Sequence, residues 1–318
     1  MPQPTSRDLH VDTLLTDISI AYRNPAYIAD AIFPVLPVNK RSDKIPAYNQ
    51  SFWYRDDARL RAPGTKSRGG GFTVDTSATY YCDRFSRRFE IPDEVRDNAD
   101  APFNLDADAT RFVTDKALMR REVAFATDFF TTGKWTTDKT GGTDFTKWST
   151  YGTSTPIQDM DAYKDVVEGL IGVEPNKLIF GKAVYLQLKN HPDLIDRIKY
   201  TQRAQVTEEL IASLMEFPQL LVGRSIYTTT VEGTAEASVS YSRIWGKNAL
   251  MVYVPASPSL LTPAAGYTFL WKAVGNAPQY IKRMRDEERE IDIVEVNSFF
   301  DQKITAARAG LFLSAAVA

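Results

Sequence analysis

The residues best suited to chemistry are few and scattered. GTKSRGGG, residues 64–71, has the glycines and cations of a phosphate cradle. It lacks the G-x-x-x-x-G-K-[ST] order, and no helical pattern follows to offer its N-terminus to an anion. A hairpin tip explains the glycines, which supply positive φ without steric cost. The two histidines are His10 and His191. Any Ser-His-Asp or Cys-His site needs one of them, and neither sits in a nucleophile motif. His191 precedes Pro192 at a predicted helix end, where a donor or cation suits exposed carbonyls. The single cysteine, Cys82, excludes an intrachain disulfide and fits a reducing compartment. With two distant histidines it makes no zinc cluster of known spacing. Asp106-Ala-Asp108 lacks the glycine and terminal glutamate of a calcium loop. DEERE, residues 286–290, has carboxylates for magnesium, but Lys282, Arg283, Arg285 and Arg289 interleave with them. A salt-bridged strand face or an intersubunit contact fits better, so Arg283, Arg285, Glu287 and Glu288 are candidate contact residues. The expectation is no catalytic residue, no cofactor and no metal.

What remains distinctive is the stretch RDDARLRAPGTKSRGGGF, residues 55–72. Arg55, Arg59, Arg61, Lys66 and Arg68 sit in it with Pro63-Gly64 and Gly69, Gly70 and Gly71. The flanks alternate as strands do, with IPAYNQSFWYR before and FTVDTSATYYCDRFSRRFEIP after. A two-stranded arm over 41–90 follows. With legs of about 20 residues at ~3.3 Å each it reaches ~60 Å, and an isolated ribbon of that kind is marginal in water. Another copy of the chain is the simplest surface to steady it.

The other elements read in order. Residues 1–40 form an arm, with a short helix expected near 12–21. IADAIFPVLPV follows, in which Pro34 and Pro37 forbid a helix interior and a central strand. That segment needs something to lie on without forming a core itself. Leu105, Ala109, Phe112, Met119, Val123, Ala126 and Phe130 mark a spine helix over about 105–132, closed by Gly133. Residues 133–155 are a polar loop with aromatic anchors. Helices over Met160–Ile171, Lys182–Lys189 and Thr207–Met215 alternate with strands at 176–181 and 219–228, an α/β pattern. Strands return after Tyr241, and AGLFLSAAVA closes the chain as a strand packed into the body.

The bulk numbers set limits. A chain of 318 residues with 43% hydrophobic and 25% charged residues is globular. A net charge of −2 gives no general reason to coat nucleic acid. No run approaches the ~18 apolar residues of a membrane span, and the opening MPQPTSRDLHVDTLL lacks the layout of a secretory signal.

This succession of arm, extended hairpin, spine helix, α/β region and returning strands resembles the major capsid proteins of tailed bacteriophages, with the Hong Kong 97-type fold. NPAYIADAIFPVLPV is similar to that family's arm, IPAYNQSFWYRDDARLRAPG to the rising leg of its E-loop, and PNKLIFGKAVYLQLKNHPDLIDRIKYT to a strand and helix of its axial (A) domain. LLVGRSIYTTTVEG with RIWGKNALMVYV resembles the A-domain strand pairs, and REIDIVEVNSFFDQKITAARAGLFLSAAV the closing segment.

The resemblance implies an α+β fold. It divides into an N-terminal arm (1–40), an E-loop hairpin (41–90), a peripheral (P) domain with the spine helix (91–155), an A-domain (156–260), and returning P-domain strands with a C-terminal strand (261–318). It implies a non-enzymatic subunit that forms hexamers and pentamers of an icosahedral or prolate shell around double-stranded DNA, assembled in the host bacterial cytoplasm and resident in the virion. Its partners would be itself, portal and scaffold proteins and a decoration protein, with non-specific contact to packaged DNA and none to membrane. The five cations of the tip would meet a neighbouring subunit, and Pro63, Gly64 and Gly69–Gly71 would let the tip bend. Some members cross-link an E-loop lysine to a neighbour's asparagine. Lys66 lies at such a place, but no asparagine can be assigned to it. An encapsulin-type compartment shell shares the fold and is the alternative, and a carboxylate-dependent hydrolase is a more distant one.

Overall fold

The computed structural model of the chain describes residues 27–98, 104–198, 207–258, 262–272 and 279–318. His10 and the expected helix near 12–21 lie outside them. The described chain opens with one helical turn, α1 (Ala29–Ile32), and strand β1 (Val35–Val38). The ribbon follows: β2 (Ser42–Lys44), β3 (Ala47–Tyr48), a helical turn α2 (Gln50–Trp53), β4 (Val74–Asp75) and β5 (Thr79–Tyr81). Next come β6 (Asp83–Pro92), α3 (Asp93–Asp97), the spine helix α4 (Leu105–Phe129), β7 (Thr137–Thr140) and α5 (Pro156–Ile171). β8 (Lys177–Gly181) leads to α6 (Lys182–Lys189), α7 (Pro192–Ile198), α8 (Glu208–Leu214) and β9 (Gln219–Gly223). A small hairpin pairs β10 (Ile226–Tyr227) with β11 (Ser242–Arg243). β12 (Ala249–Val252), β13 (Gly266–Trp271), β14 (Gln279–Asp286), β15 (Ile291–Ile304) and β16 (Gly310–Ser314) complete the chain.

Two sheets organise these elements. In the first, β15 pairs antiparallel with β6 on one side and with β14 and β13 on the other. β1 adds parallel to β13 at the edge, where the missing N–H of Pro37 does no harm. The second sheet has the order β7-β16-β12-β8-β9. The apolar end of the chain thus sits inside it, with Leu311, Leu313, Ala316 and Val317 buried.

The spine helix joins the two cores. Its N-terminal half packs Ala109, Val113 and Ala117 on Ile91, Ile281, Val294 and Val296 of the first sheet. Its C-terminal end sends Phe125 and Phe130 into the second core, where both rings meet Trp245. Asn104 caps its start by accepting from the Ala107 N–H. The buried face differs from the expected apolar stripe. It runs through Ala109, Thr110, Val113, Thr114, Ala117, Arg121, Glu122 and Phe125, while Phe112 is exposed. Polar side chains hold buried positions because each finds a partner: Thr110 donates to the Asp106 carbonyl and Thr114 to the Thr110 carbonyl. A reading by apolar residues alone missed that face.

Two further expectations change. The segment after Tyr27 does form core: Ile32 and Phe33 are fully buried, and Phe33 stacks edge-on at 4.8 Å against Phe125. Its prolines act as punctuation, with the Pro34 carbonyl accepting from the Thr268 N–H. The paired part of the ribbon is also shorter than expected. Pairing runs only from Ser42↔Tyr81 to Tyr48↔Val74, and β6 leaves the ribbon to become a full strand of the first sheet. Burial of its Ile91 beside β15 outweighs continuation of an unsupported hairpin.

Because Phe33 has rings on several sides, Phe33→Ala is expected to cost about 3–5 kcal/mol, read as a lowered midpoint in chemical unfolding.

Candidate assembly interface

The ribbon is fastened at its base and free at its tip. Asn49 caps α2 by accepting from the Ser51 N–H. Gln50 then donates to the Leu170 carbonyl and the Tyr54 hydroxyl to the Ile171 carbonyl, each at 2.6 Å. These are carbonyls at the end of α5, which no further helical turn satisfies. Gly172 closes α5 at φ 72°, and a Cβ there would lie 2.7 Å from the Tyr54 hydroxyl. Trp53 and Phe72 hold the two legs together with ring centroids 5.8 Å apart.

Beyond that pair the chain stands in solvent. Every residue from Arg55 to Phe72 is exposed, and Leu60 is 105% exposed. Pro63-Gly64 makes a turn closed by Thr65 on the Ala62 carbonyl, with Gly64 at φ 81°. Gly69, Gly70 and Gly71 have nothing near them. Arg55 lies 5.7 Å from the Phe52 ring centre. Arg59, Arg61, Lys66 and Arg68 are exposed on the same tip. Beside the ribbon base, a groove of about 540 Å³ is walled by Leu36, Val38, Ile45, Trp53, Tyr80 and Phe269.

A second arrangement fixes where the arm enters the body. Glu122, buried on α4, accepts from the N–H groups of Ile28 (3.0 Å) and Ala29 (2.8 Å), from the Ser225 hydroxyl (3.0 Å) and from the Trp245 indole (2.6 Å). Burial pushes its carboxyl above the ordinary range, and the four donors only partly pull it back. At the other end of α1, the Lys177 ammonium faces the carbonyls of Ala31 (2.5 Å) and Ile32 (3.3 Å). Arg121 pairs with Asp30 at 2.8 Å, and the Tyr27 hydroxyl donates to Asp115. One turn of arm is therefore gripped from the spine helix and from the second sheet at once.

The charged segment lies mostly within its own chain. Asp292 meets Arg96, Arg283 and Arg285, and Arg285 also meets Asp93. Arg96 and Arg283 reach Asp106 at 3.0 and 3.5 Å. Burial opposes ionisation of Asp292, but the Arg96 and Arg283 guanidiniums prevail and hold it below the usual carboxylate range. Glu287 lies 3.7 Å from Arg285, with its side chain 85% exposed. Glu288 sits in the β14–β15 turn, where its N–H meets Asp286.

His191 corrects its expected role. It is buried; its Nε2 lies 2.8 Å from Ser154 Oγ and its Nδ1 accepts from the Asp193 N–H. It thus serves the start of α7 as an acceptor, not the end of α6 as a cation. Burial lowers its pKa, against a partial pull from Asp193. The Cys82 thiol is buried and pushed up to about 12, which removes it as a nucleophile at neutral pH. Among the described residues no three His, Cys, Asp or Glu side chains are grouped to hold a metal ion. No described helix is long and apolar enough to cross a membrane.

Comparison with known proteins identifies the family and the fold. The profile of the phage major capsid protein E family matches residues 114–293. The chain belongs to that family. The major capsid protein of Burkholderia phage BcepMu is 26% identical over 311 residues, 96% of each chain. A phage-related protein of Bordetella bronchiseptica superposes with a TM-score of 0.76 at 22% identity, over 97% of this chain and 98% of that one. The capsid subunit of a native GTA particle does so at 0.57 and 13% identity, over 98% and 94%. The fold is the α+β Hong Kong 97-type capsid fold, and the chain is a structural subunit of a phage shell.

In this capsid subunit the five tip cations share one exposed loop, whereas Arg283 and Arg285 join an internal network. Glu122 and Lys177 escaped the sequence reading. A Glu next to Arg121 on the buried side of a helix, eight residues beyond Thr114, was the available signal.

Glu122 binds its proton more tightly folded than unfolded. The stability it contributes is therefore greatest below the ordinary carboxylate range and falls as pH rises through its raised pKa. Urea unfolding from pH 4 to 8 is expected to show this decline in the parent and less of it in Glu122→Gln. Glu122→Ala, which strands buried donors, is expected to cost about 1–3 kcal/mol or more at every pH.

Proposed function

We propose that this capsid subunit assembles as hexamers and pentamers into a closed icosahedral or prolate shell around the double-stranded DNA of a tailed phage, with its ribbon laid across the adjacent subunit. The observation that carries the reading is the tip itself. Eighteen residues, 55–72, including five cations and the fully exposed Leu60, are built out from a base that is firmly tied down. A free loop of this kind adds nothing to the subunit's own core. Seated on a neighbour, it would bury Leu60 and place Arg55, Arg59, Arg61, Lys66 and Arg68 against carboxylates. Pro63, Gly64 and Gly69–Gly71 let one sequence fit the two unlike surroundings of a hexamer and a pentamer.

In this reading residues 1–40 are the arm and 41–90 the E-loop. Residues 91–155 form the P-domain, 156–260 the A-domain, and 261–318 the strands that return, with β7 and β16 contributed to the sheet of the A-domain. The subunit acts by binding, not catalysis. Self-association dominates, and portal, scaffold and decoration proteins are the further partners. Contact with packaged DNA is non-specific, in keeping with a net charge of −2. Assembly takes place in the host bacterial cytoplasm and the product resides in the virion. Membership of a phage capsid family favours this over a cargo-holding compartment.

Size-exclusion with light scattering of the purified chain is expected to show capsomers or megadalton particles. Replacing residues 56–71 by a short Gly-Ser link is expected to abolish those particles while moving subunit stability by less than about 1 kcal/mol. A parent chain that stays monomeric at high concentration, with scaffold supplied, would refute the reading.

A further inference from the structure

Helix α5 turns two rows of residues away from its core. Asp161, Asp165 and Glu168 form one row, and Ala162, Val166 and Gly169 form the next; all six are exposed. The helix's lone cation, Lys164, points inward, where it is buried and lies 3.5 Å from Glu216. The acidic row therefore has no counter-charge on its own helix. Gly169 is in the last turn of the helix, with nothing within 4 Å of where a Cβ would stand. Glycine weakens a helix, and nothing among the described residues requires so small a residue there. A closely approaching partner would.

A surface of the opposite character lies at the far end of the same layer. β8 and β9 run parallel in a register that pairs Gly181 with Gly223. The next residues, Lys182 and Arg224, therefore leave the sheet side by side. β10 starts two residues later and pairs Ile226 with Arg243, which brings a third cation to this edge. Lys189 lies two turns along α6 from Lys182. Glu208 pairs with Arg224 and offsets part of the charge. Crowding is felt at Lys182, whose pKa is lowered by burial and by Arg224, Arg243 and Lys189. Leu186 and Ile226, 42% and 52% exposed, give the edge apolar area as well.

The two surfaces lie on different helices of that layer. α5 packs on β16, α6 packs on β8 and β9, and α7 packs against both helices. β16 and β9 are three places apart in the sheet order. One subunit thus presents an acidic, small-residue face on α5 and, three strands away in the sheet order, a basic, apolar edge beside β8 and β9. Unlike, complementary patches on one chain make head-to-tail contacts, which close into rings when each step rotates.

We propose that the Asp161–Asp165–Glu168 face of α5 in one subunit seats on the Lys182–Arg224–Arg243 edge of the next, with Gly169 and Ala162 allowing close approach. This rests on the reading that the chain self-assembles, and it names which two faces meet around a capsomer.

The test reverses each face in the full chain and then both together. D161K/D165K/E168K and K182E/R224E/R243E are each expected to weaken self-association about a hundred-fold or more, since like charges then oppose across the contact. The chain carrying all six changes restores opposite charges and is expected to recover particles. Carbodiimide treatment of unmodified particles, grown from mixed heavy and light chains, is expected to join Asp161, Asp165 or Glu168 to Lys182 or Lys189 of another copy. If the parent assembles but both reversed chains do so equally, or if the cross-links run from α5 to Lys66 of the ribbon, this pairing is wrong while the shell reading stands. If a reversed chain fails to fold, the cross-links in the unmodified particle decide alone. A parent that does not assemble overturns both.

Discussion

The arrangement on which the rest depends is the grip on a single helical turn. The ends of α1 leave N–H groups at the buried Ile28 and Ala29 and carbonyls at Ile32, which is buried, and Ala31, which is exposed. Unpaired, each buried group would carry a desolvation cost comparable to a lost hydrogen bond. Glu122 answers the first pair and Lys177 the second. The carboxylate comes from the spine helix and the ammonium from the second sheet. The same Glu122 also accepts from Ser225 and Trp245. One buried carboxylate therefore links the arm, the spine and the far side of the second sheet, and the bond set leaves little freedom for any of them to shift alone.

That fixed body gives the ribbon its leverage. Phe33, held by the clamp above it, packs on Phe125 and so sets β1 against β13. β1 leads to the ribbon, and Gln50 and Tyr54 tie its base to the end of α5. The tip then projects from a platform with several independent fastenings. The contrast between the two charged regions follows the same logic. Arg283 and Arg285 find carboxylates within their own chain, so they stiffen the first sheet. The tip cations share their loop with Asp56 and Asp57 but join no comparable network among the described residues, so they remain available to another molecule. Exposure and pairing, not charge as such, separate an internal strut from a contact surface.

Much of this was legible in the order of residues. The spine helix, the α/β alternation, the proline-broken arm and the glycine-rich tip all follow from local rules about φ, capping and period. Their succession carried the resemblance to phage capsids. The chain also declares its lack of obvious catalytic chemistry through two histidines and one cysteine. Local pattern failed where packing decided. The buried face of α4 includes Thr110, Thr114, Arg121 and Glu122, which a hydrophobic periodicity cannot select. β6 looked like a continuation of the hairpin, because an alternating strand has the same signature whether it pairs with its sequence neighbour or with β15, some 200 residues away.

The sequence by itself determined the spine helix, the other long helices and most of the strands, though not β7, α1 or α7, and that residues 55–72 are too polar and too rich in glycine to form a core. Those properties arise from side-chain sterics and solvation within a few residues. Only the tertiary structure decided that Glu122 and Lys177 close on one turn of the arm, that His191 accepts at Nδ1 from the Asp193 N–H, and that Lys182, Arg224 and Arg243 share an edge. Each of these depends on which distant backbone groups are brought into reach. A carboxylate on a helix looks the same in sequence whether it faces water or four buried donors.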